Sequence, residues 1–123
     1  MILSEFPVGI IVTHNEWGHA LVDEVESTVG GESGLRAVEV NPTKTGLERP
    51  SDIPATTVIF WFVDAPGSSA ERAVNKIKQP GDHVITGFSM PMLLSFATKR
   101  HNMNSDTLIT ACRDALERGN ICL

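Results

Sequence analysis

The chain has 123 residues, of which 41% are hydrophobic and 20% charged, and its formal net charge is −5. This length and composition predict one domain spanning residues 1–123 that buries its own core. The acidic balance argues against nucleic acid as a partner, because a phosphate backbone attracts basic surfaces. No apolar run approaches the roughly 18 residues that a membrane helix needs, and the first residues show no secretory signal pattern. Cys112 and Cys122 lack metal or redox spacing, so we expect two buried thiols in a cytoplasmic protein.

The first half of the sequence alternates strand and helix patterns. Pro7 to Val12 is a short β-branched run typical of a buried strand. Apolar residues at four-residue spacing then predict an amphipathic helix, with Asn15 as its N-cap and Gly30-Gly31 at its end. Leu35 to Val40 is the second predicted strand. The next segment, Asn41 to Thr56, contains three prolines and allows at most a turn or two.

The second half continues the alternation. Thr57 to Val63 is β-branched and aromatic without polar alternation, which predicts a strand covered on both faces. The spacing of Ser68 and Glu71 predicts a capping box at the start of a helix. His83 to Thr86 is the fourth predicted strand, and the segment FSMPMLLSFATKR predicts a helix with Pro91 in its first turn.

The end of the sequence predicts one more helix and a short strand. Ser105 or Asp106 is the expected cap, and Arg118-Gly119 the expected end of the helix. Asn120 to Leu123 is expected to form the terminal strand. The whole pattern predicts an α/β fold, a three-layer α/β/α sandwich with a mainly parallel four-stranded sheet and a short antiparallel strand at the C-terminus.

Two titratable residues follow predicted strands. His14 comes after the first strand and Asp64 after the third. Ligands of parallel sheets bind beyond the carboxyl ends of the strands, so we expect these two side chains to meet there. A carboxylate that accepts Nδ1–H of an imidazole fixes its tautomer and leaves Nε2 as a nucleophile.

The turn after Asp64 suggests what that nucleophile would attack. Gly67 permits close approach of the backbone, Ser68 and Ser69 offer hydroxyl groups, and a helix N-terminus near Ala70 offers amide donors. These groups suit a phosphoryl group, whose transfer depends mainly on placement and charge stabilisation. Each feature also has an ordinary structural interpretation: a packed histidine, a turn aspartate and a helix cap.

Three segments resemble the IIA component of the mannose/fructose-type bacterial phosphotransferase system. GIIVTHNEWGHALVDEVESTVG is similar to that family's first strand, active histidine and first helix. VIFWFVDAPGSSAERAVNKI is similar to its third strand, the Gly/Ser turn and the following helix. VITGFSMPMLLSF is similar to its G-V-N-x-P-M-L segment. The resemblance covers nearly the whole chain in the family's order.

This resemblance implies a phosphocarrier that takes a phosphoryl group from the protein HPr and passes it to a IIB domain. His14 would carry the phosphate, Asp64 would be its hydrogen-bond partner, and Ser69 aligns with a serine near the phosphate. No metal or organic cofactor is implied. Members of the family are homodimers that exchange a C-terminal strand, which would here be Asn120 to Leu123; such exchange also covers an exposed strand edge.

The sequence departs from the family pattern at four places. Asn15 replaces the glycine that usually follows the histidine, and Gly67 to Ala70 replaces a Gly-Gly-Ser-Pro pattern. Ser89 replaces an asparagine, and Asn41 to Thr56 is too short for the family's full second helix. The first three departures are expected to affect the rate of phosphoryl transfer and the choice of partner more than the role of His14. The last is expected to alter one face of the domain or the dimer contact.

Several other residues have a structural and a functional interpretation. Trp17, one turn beyond His14, is either a core residue or part of a docking surface for a partner, together with Ser89 and Met90. His19 is expected to be exposed or packed, and His83 is expected to be exposed at the start of its strand. His101 is expected in a loop at a solvated helix end, where Lys99, Arg100 and His101 could instead face an acidic partner. Two alternative functions stay open: a regulatory binding module of the same fold with little or no phosphotransfer, and a domain that binds a small anionic ligand at the same edge.

Overall fold

The computed structural model describes residues 6–14, 17–40 and 47–121, the last six of these by their backbone alone. Strands β1 (Val8–Thr13), β2 (Leu35–Glu39), β3 (Ile59–Val63) and β4 (His83–Thr86) alternate with helices α1 (Trp17–Val29), α2 (Ser69–Ile77), α3 (Met90–Lys99) and α4 (Ser105–Ile121). None of the helices in these ranges is both long and apolar enough to cross a membrane.

The four strands form one parallel sheet in the order β2-β1-β3-β4. From β1 the chain moves outward to β2, then returns to the other side of β1 to form β3. The direction of winding therefore reverses between β1 and β3. In open parallel sheets, this reversal opens a crevice at the carboxyl ends of the two strands, which is where ligands bind.

Helices cover both faces of the sheet, which confirms the predicted three-layer α/β/α architecture. One face packs against α1, α3 and α4 through a core that includes Phe60, Phe62 and Phe96. The other face packs against α2 and the 47–56 segment through a core that includes Trp61. Alternate residues of β3 serve the two cores, and all five are fully buried. This double burial explains why the strand sequence is apolar throughout.

Most of the predicted elements are confirmed, with small shifts at their ends. β3 begins at Ile59 rather than at residue 57, because the amide of Thr57 donates to Pro54 O in a turn (3.0 Å). Helix α1 stops at Gly30, whose φ of 80° suits glycine. The proposed N-cap Asn15 lies outside the described residues. Residues 47–56 form turns without a helix, as predicted, and residues 41–46 lie outside the description.

The predictions for the C-terminal part need correction. The cap of α4 is Asn104, whose Oδ1 accepts a hydrogen bond from the amide of Thr107 (2.9 Å). The helix then continues through Ile121, two residues beyond the predicted end. A glycine costs a helix only about 1 kcal/mol, so Gly119 does not stop it. The predicted strand at 120–123 is not confirmed: residues 120 and 121 are helical, and 122 and 123 lie outside the described residues. Exchange between subunits stays a prediction.

A buried carboxylate anchors the amino end of the sheet, opposite the crevice. Asp82 precedes β4, and its side chain is 2% exposed. It accepts hydrogen bonds from the amide of Ile59 (3.0 Å), the indole N–H of Trp61 (3.1 Å), the amide of Gln79 (3.0 Å) and the guanidinium of Arg49 (3.1 Å). Arg49 also donates to the carbonyl of Thr57 (2.7 Å). One carboxylate thus joins β3, the turn before β4 and the covering 47–57 segment.

We expect Asp82→Asn to lower the free energy of unfolding by about 3 kcal/mol, because a buried cation and several donors would lose a charged acceptor. Chemical denaturation followed by far-UV circular dichroism measures the change. Asp52→Asn is the matched control: Asp52 pairs with Arg36 in a solvent-exposed bridge (2.7 Å), which contributes little to stability. Equal small effects of the two substitutions would contradict the anchoring role of Asp82.

Candidate functional site

The structure brings the two predicted residues together at the crevice between β1 and β3. Val12 of β1 pairs with Val63 of β3. His14 follows the end of β1 and Asp64 the end of β3, so the register of the sheet sets them side by side. The side chain of His14 is 40% exposed and that of Asp64 is 17% exposed. The imidazole is therefore open to solvent, whereas its carboxylate partner is largely covered.

Asp64 holds His14 through one carboxylate oxygen. His14 Nδ1 lies 2.9 Å from Asp64 Oδ2, and the backbone amide of His14 donates to the same oxygen (3.3 Å). An ionised carboxylate can only accept hydrogen bonds, so Nδ1 carries the proton. The other oxygen, Oδ1, is buried and has no hydrogen-bond partner among the described residues. The orientation of the ring therefore rests on Oδ2.

The second ring nitrogen of His14 contacts Ser69. Nε2 lies 2.7 Å from Ser69 Oγ. Because Nδ1 holds the proton of the neutral ring, Nε2 accepts a hydrogen bond from the Ser69 hydroxyl. Ser69 is the first residue of α2, which starts after the turn that follows β3. Asp64, His14 and Ser69 thus form a continuous chain of hydrogen bonds from carboxylate to imidazole to hydroxyl.

The rest of the predicted phosphate-binding turn is engaged in capping α2. Ser68 is the N-cap: its hydroxyl donates to Ala65 O (2.7 Å) and accepts from the amide of Glu71 (3.2 Å). The amide of Gly67, a residue with φ of 75°, donates to the Glu71 carboxylate (2.6 Å). The predicted cap at Ser68 is therefore confirmed, but the Glu71 carboxylate accepts from the amide of Gly67 rather than from that of Ser68, as a complete capping box would require. The amides of Ser69 and Ala70 lie in the first turn of the helix and have no intrahelical acceptor. Ala70, however, is fully buried in the core, so its predicted role in binding a phosphoryl group is not supported.

An aromatic pair, Trp17 and Phe88, lies at the same edge of the sheet. Their rings stack with centroids 5.6 Å apart and an interplanar angle of 20°. Trp17 begins α1 just after His14 and is 42% exposed, which contradicts its interpretation as a core residue. Phe88 follows the carboxyl end of β4, so the rule that located His14 and Asp64 would also have located this ring. Phe88 was not among the predicted site residues.

Ser89 and Met90, the other proposed docking residues, have structural contacts. Ser89 is the N-cap of α3, and its hydroxyl accepts from the amide of Met92 (3.3 Å). Met90 is half-buried and packs against the core beneath α3. These contacts account for both residue types without a partner. A docking role for either stays a prediction.

The remaining histidines and Cys112 lie away from this chain of hydrogen bonds. His19 is exposed on α1. His83 was expected to be exposed but is half-buried, because its ring packs on Phe60 with centroids 4.9 Å apart. His101 packs edge-on against Phe6 (4.4 Å) beyond the amino end of the sheet. Cys112 is a buried thiol, as predicted, and burial raises its pKa to about 12. Cys122 lies outside the described residues.

The hydrogen bond to Asp64 predicts one tautomer for His14. We expect the ¹⁵N chemical shifts of the neutral ring to show a protonated Nδ1 and an unprotonated Nε2. Asp64→Ala should return the ring to the mixture of tautomers found in an unconstrained histidine. The exposed His19 provides an internal control, whose ¹⁵N shifts should not respond to the substitution. A proton found on Nε2 in the wild-type protein would contradict the geometry.

Comparisons with known proteins identify the fold. No family model matches the chain, and neither does any curated protein. Three similar solved structures are each 14% identical. One is a provisionally assigned sugar phosphotransferase system permease from Klebsiella pneumoniae (TM-score 0.78, covering 97% of this chain and 93% of that one). The second is a phosphotransferase system component EIIA from Streptococcus agalactiae (TM-score 0.72, covering 92% of this chain and 94% of that one). The third is a mannose/sorbose-specific IIA subunit from Enterococcus faecalis (TM-score 0.65, covering 96% of this chain and 92% of that one).

These matches span almost the full length of both chains, so they compare whole domains rather than a shared fragment. At this level of identity, they establish a common architecture. The resemblance seen in the sequence is thus confirmed at the level of the fold. The chain has the fold of the phosphotransferase-system IIA proteins, including a mannose-type member.

Proposed function

We propose that this protein is a cytoplasmic phosphocarrier of the mannose-type IIA class, in sugar transport or its regulation. It accepts a phosphoryl group from phosphorylated HPr on His14 and passes it to a IIB domain. The observation that carries this proposal is the exposed imidazole held by Asp64 at the crevice, with its second nitrogen directed at the start of α2. The fold shared with IIA proteins supports the same assignment.

The transfer step uses the Nε2 lone pair of His14. As Nε2 bonds to phosphorus, the bond between phosphorus and the donor breaks, and the imidazole becomes positively charged. The Asp64 carboxylate, 2.9 Å from Nδ1, stabilises that charge. The Ser69 hydroxyl must release Nε2 first, and it can then donate to a phosphoryl oxygen. The amide of Ser69 and the positive end of α2 contribute further stabilisation.

The remaining members of the Gly67–Ala70 turn have a supporting role in this scheme. Ser68 and the amide of Gly67 are hydrogen-bonded within the cap of α2. They do not contact the phosphoryl group in this scheme. Their role is to hold the turn so that Ser69 faces the imidazole. The scheme invokes no metal or organic cofactor. It also assigns the two serines different roles: Ser69 contacts the phosphoryl group, and Ser68 caps the helix.

The aromatic pair is the proposed docking surface for the protein partners. Trp17 is exposed, stacked on Phe88 and close in sequence to His14. A partner that delivers a phosphoryl group must cover the imidazole, so it would also cover this adjacent apolar surface. Aromatic residues at such a position commonly supply a large share of binding energy.

We expect incubation with phosphoenolpyruvate, enzyme I and HPr to label the protein with acid-labile phosphate. His14→Gln should abolish the label, and Asp64→Asn should slow labelling at least about tenfold because the ring loses its orientation and its charge partner. His19→Gln, an exposed histidine on α1, is the matched control and should be labelled normally. Labelling that survives His14→Gln would overturn the assignment.

Substituting Trp17 tests the docking surface separately from the chemistry. We expect Trp17→Ala to weaken binding of phosphorylated HPr about tenfold, equivalent to 1.4 kcal/mol. The maximal rate at saturating donor should change far less, and titration of donor concentration measures both. Phe6→Ala is the control, because Phe6 is 40% exposed and lies before β1, at the opposite edge. Equal effects of the two substitutions would rule out the proposed surface.

A regulatory binding module is the second candidate function. The capping contacts of Ser68 and Gly67 favour it, because they leave fewer donors for a phosphoryl group at the turn. The labelling experiment separates the two candidates. A folded wild-type protein that binds phosphorylated HPr but takes up no label would support the binding module.

A further inference from the structure

We infer a second activity at the same edge: hydrolysis of activated, uncharged esters with Ser69 as the nucleophile. Asp64 Oδ2 lies 2.9 Å from His14 Nδ1, and Ser69 Oγ lies 2.7 Å from His14 Nε2. This is the order of contacts by which a carboxylate and an imidazole activate a serine hydroxyl. The inference goes beyond phosphotransfer and does not depend on it.

The contacts of Ser69 differ from those of Ser68 and Ser89, the two serines that cap helices. The hydroxyls of Ser68 and Ser89 accept hydrogen bonds from helix amides, so both serve as caps. Ser69 is already inside α2, and its hydroxyl donates to the imidazole instead. That hydroxyl has a general base at hydrogen-bond distance and no capping role. Its position follows from the strand–turn–helix path through β3 and α2, which sets it at the carboxyl edge.

The surroundings of Ser69 define the class of substrate. The partner imidazole is 40% exposed, so a small ester can reach the hydroxyl. Ala70 is fully buried, so the donor available to a developing oxyanion is the amide of Ser69, in the first turn of α2. Asp64 and Glu71 contribute negative charge beside that amide, with Glu71 drawn to the amide of Gly67. This charge disfavours small anionic esters, which lack the docking surface by which a protein partner would bring a phosphoryl group to the same edge. It also favours release of the carboxylate product.

The reaction consumes one ester and one water. Ser69 Oγ bonds to the ester carbonyl carbon while its proton passes to His14 Nε2. The bond from that carbon to the leaving oxygen breaks, and His14 returns the proton to an alcohol product. Water then attacks the acylated Ser69, again with proton transfer to Nε2, and the acid leaves as the serine hydroxyl is restored. No oxidant, metal or further reactant is needed.

Hydrolysis of p-nitrophenyl acetate by the full chain tests this inference. We expect saturable hydrolysis that Ser69→Ala and His14→Gln each reduce at least about tenfold. Asp64→Asn should also reduce it, and His19→Gln should leave it unchanged. Circular dichroism checks that each variant is folded. Undiminished hydrolysis by folded Ser69→Ala would show that an imidazole acts alone, and would overturn the role of Ser69.

A second measurement uses only the wild-type protein. An aryl fluorophosphonate should form a stable adduct at Ser69, located by peptide mass spectrometry, and not at the capping residues Ser68 and Ser89. An adduct elsewhere, or none at concentrations that modify a serine esterase, would overturn the inference.

The ester assays contain no phosphoryl donor protein, so they test this activity separately from the carrier function. Phosphate labelling of His14 with failed ester hydrolysis would refute the esterase activity alone. Ester hydrolysis without phosphate labelling would refute the carrier function alone.

Discussion

The hydrogen bond between Asp64 and His14 is the interaction on which the chemistry at this edge depends. It forms because β1 and β3 are parallel neighbours, so residues that follow their ends lie together. The imidazole is 40% exposed, so the pair contributes less to folding than a fully buried one would. Its effect is on orientation: a ring that could rotate and exchange tautomers is held with one nitrogen occupied and the other directed at Ser69.

Local patterns made most of the fold predictable from the sequence. The apolar run that ends at Val63 has the composition of a strand buried on both faces, and the structure shows its alternate residues in two separate cores. The spacing of Ser68 and Glu71 encodes a helix start within four residues. The meeting of His14 with Asp64 needed one further step, the general rule about the carboxyl ends of parallel strands, and no long-range information.

Other features depend on contacts between distant parts of the chain, which no local pattern encodes. Asp82 lies in a segment that looks like an ordinary turn, yet its partners come from three separate stretches of sequence. The spacing to Glu71 identifies Ser68 as the helix cap, but the contact of Ser69 with the imidazole joins residues 55 positions apart in sequence. The extent of α4 was misjudged because a glycine was taken as a stop, although a single glycine penalises a helix only weakly.

The Asp82 network lies at the amino end of the sheet, whereas the reactive side chains of His14, Asp64 and Ser69 lie at the carboxyl end. The contacts that stabilise the fold are therefore separated from the residues that react. The hydrogen bonds of this network join β3 to the turn before β4 and to the covering segment. The described loops at the carboxyl ends of the strands take no part in this network. Such a scaffold can exchange one set of reactive side chains for another over evolutionary time, and proteins with almost unrelated sequences can retain a single architecture while their specificities diverge.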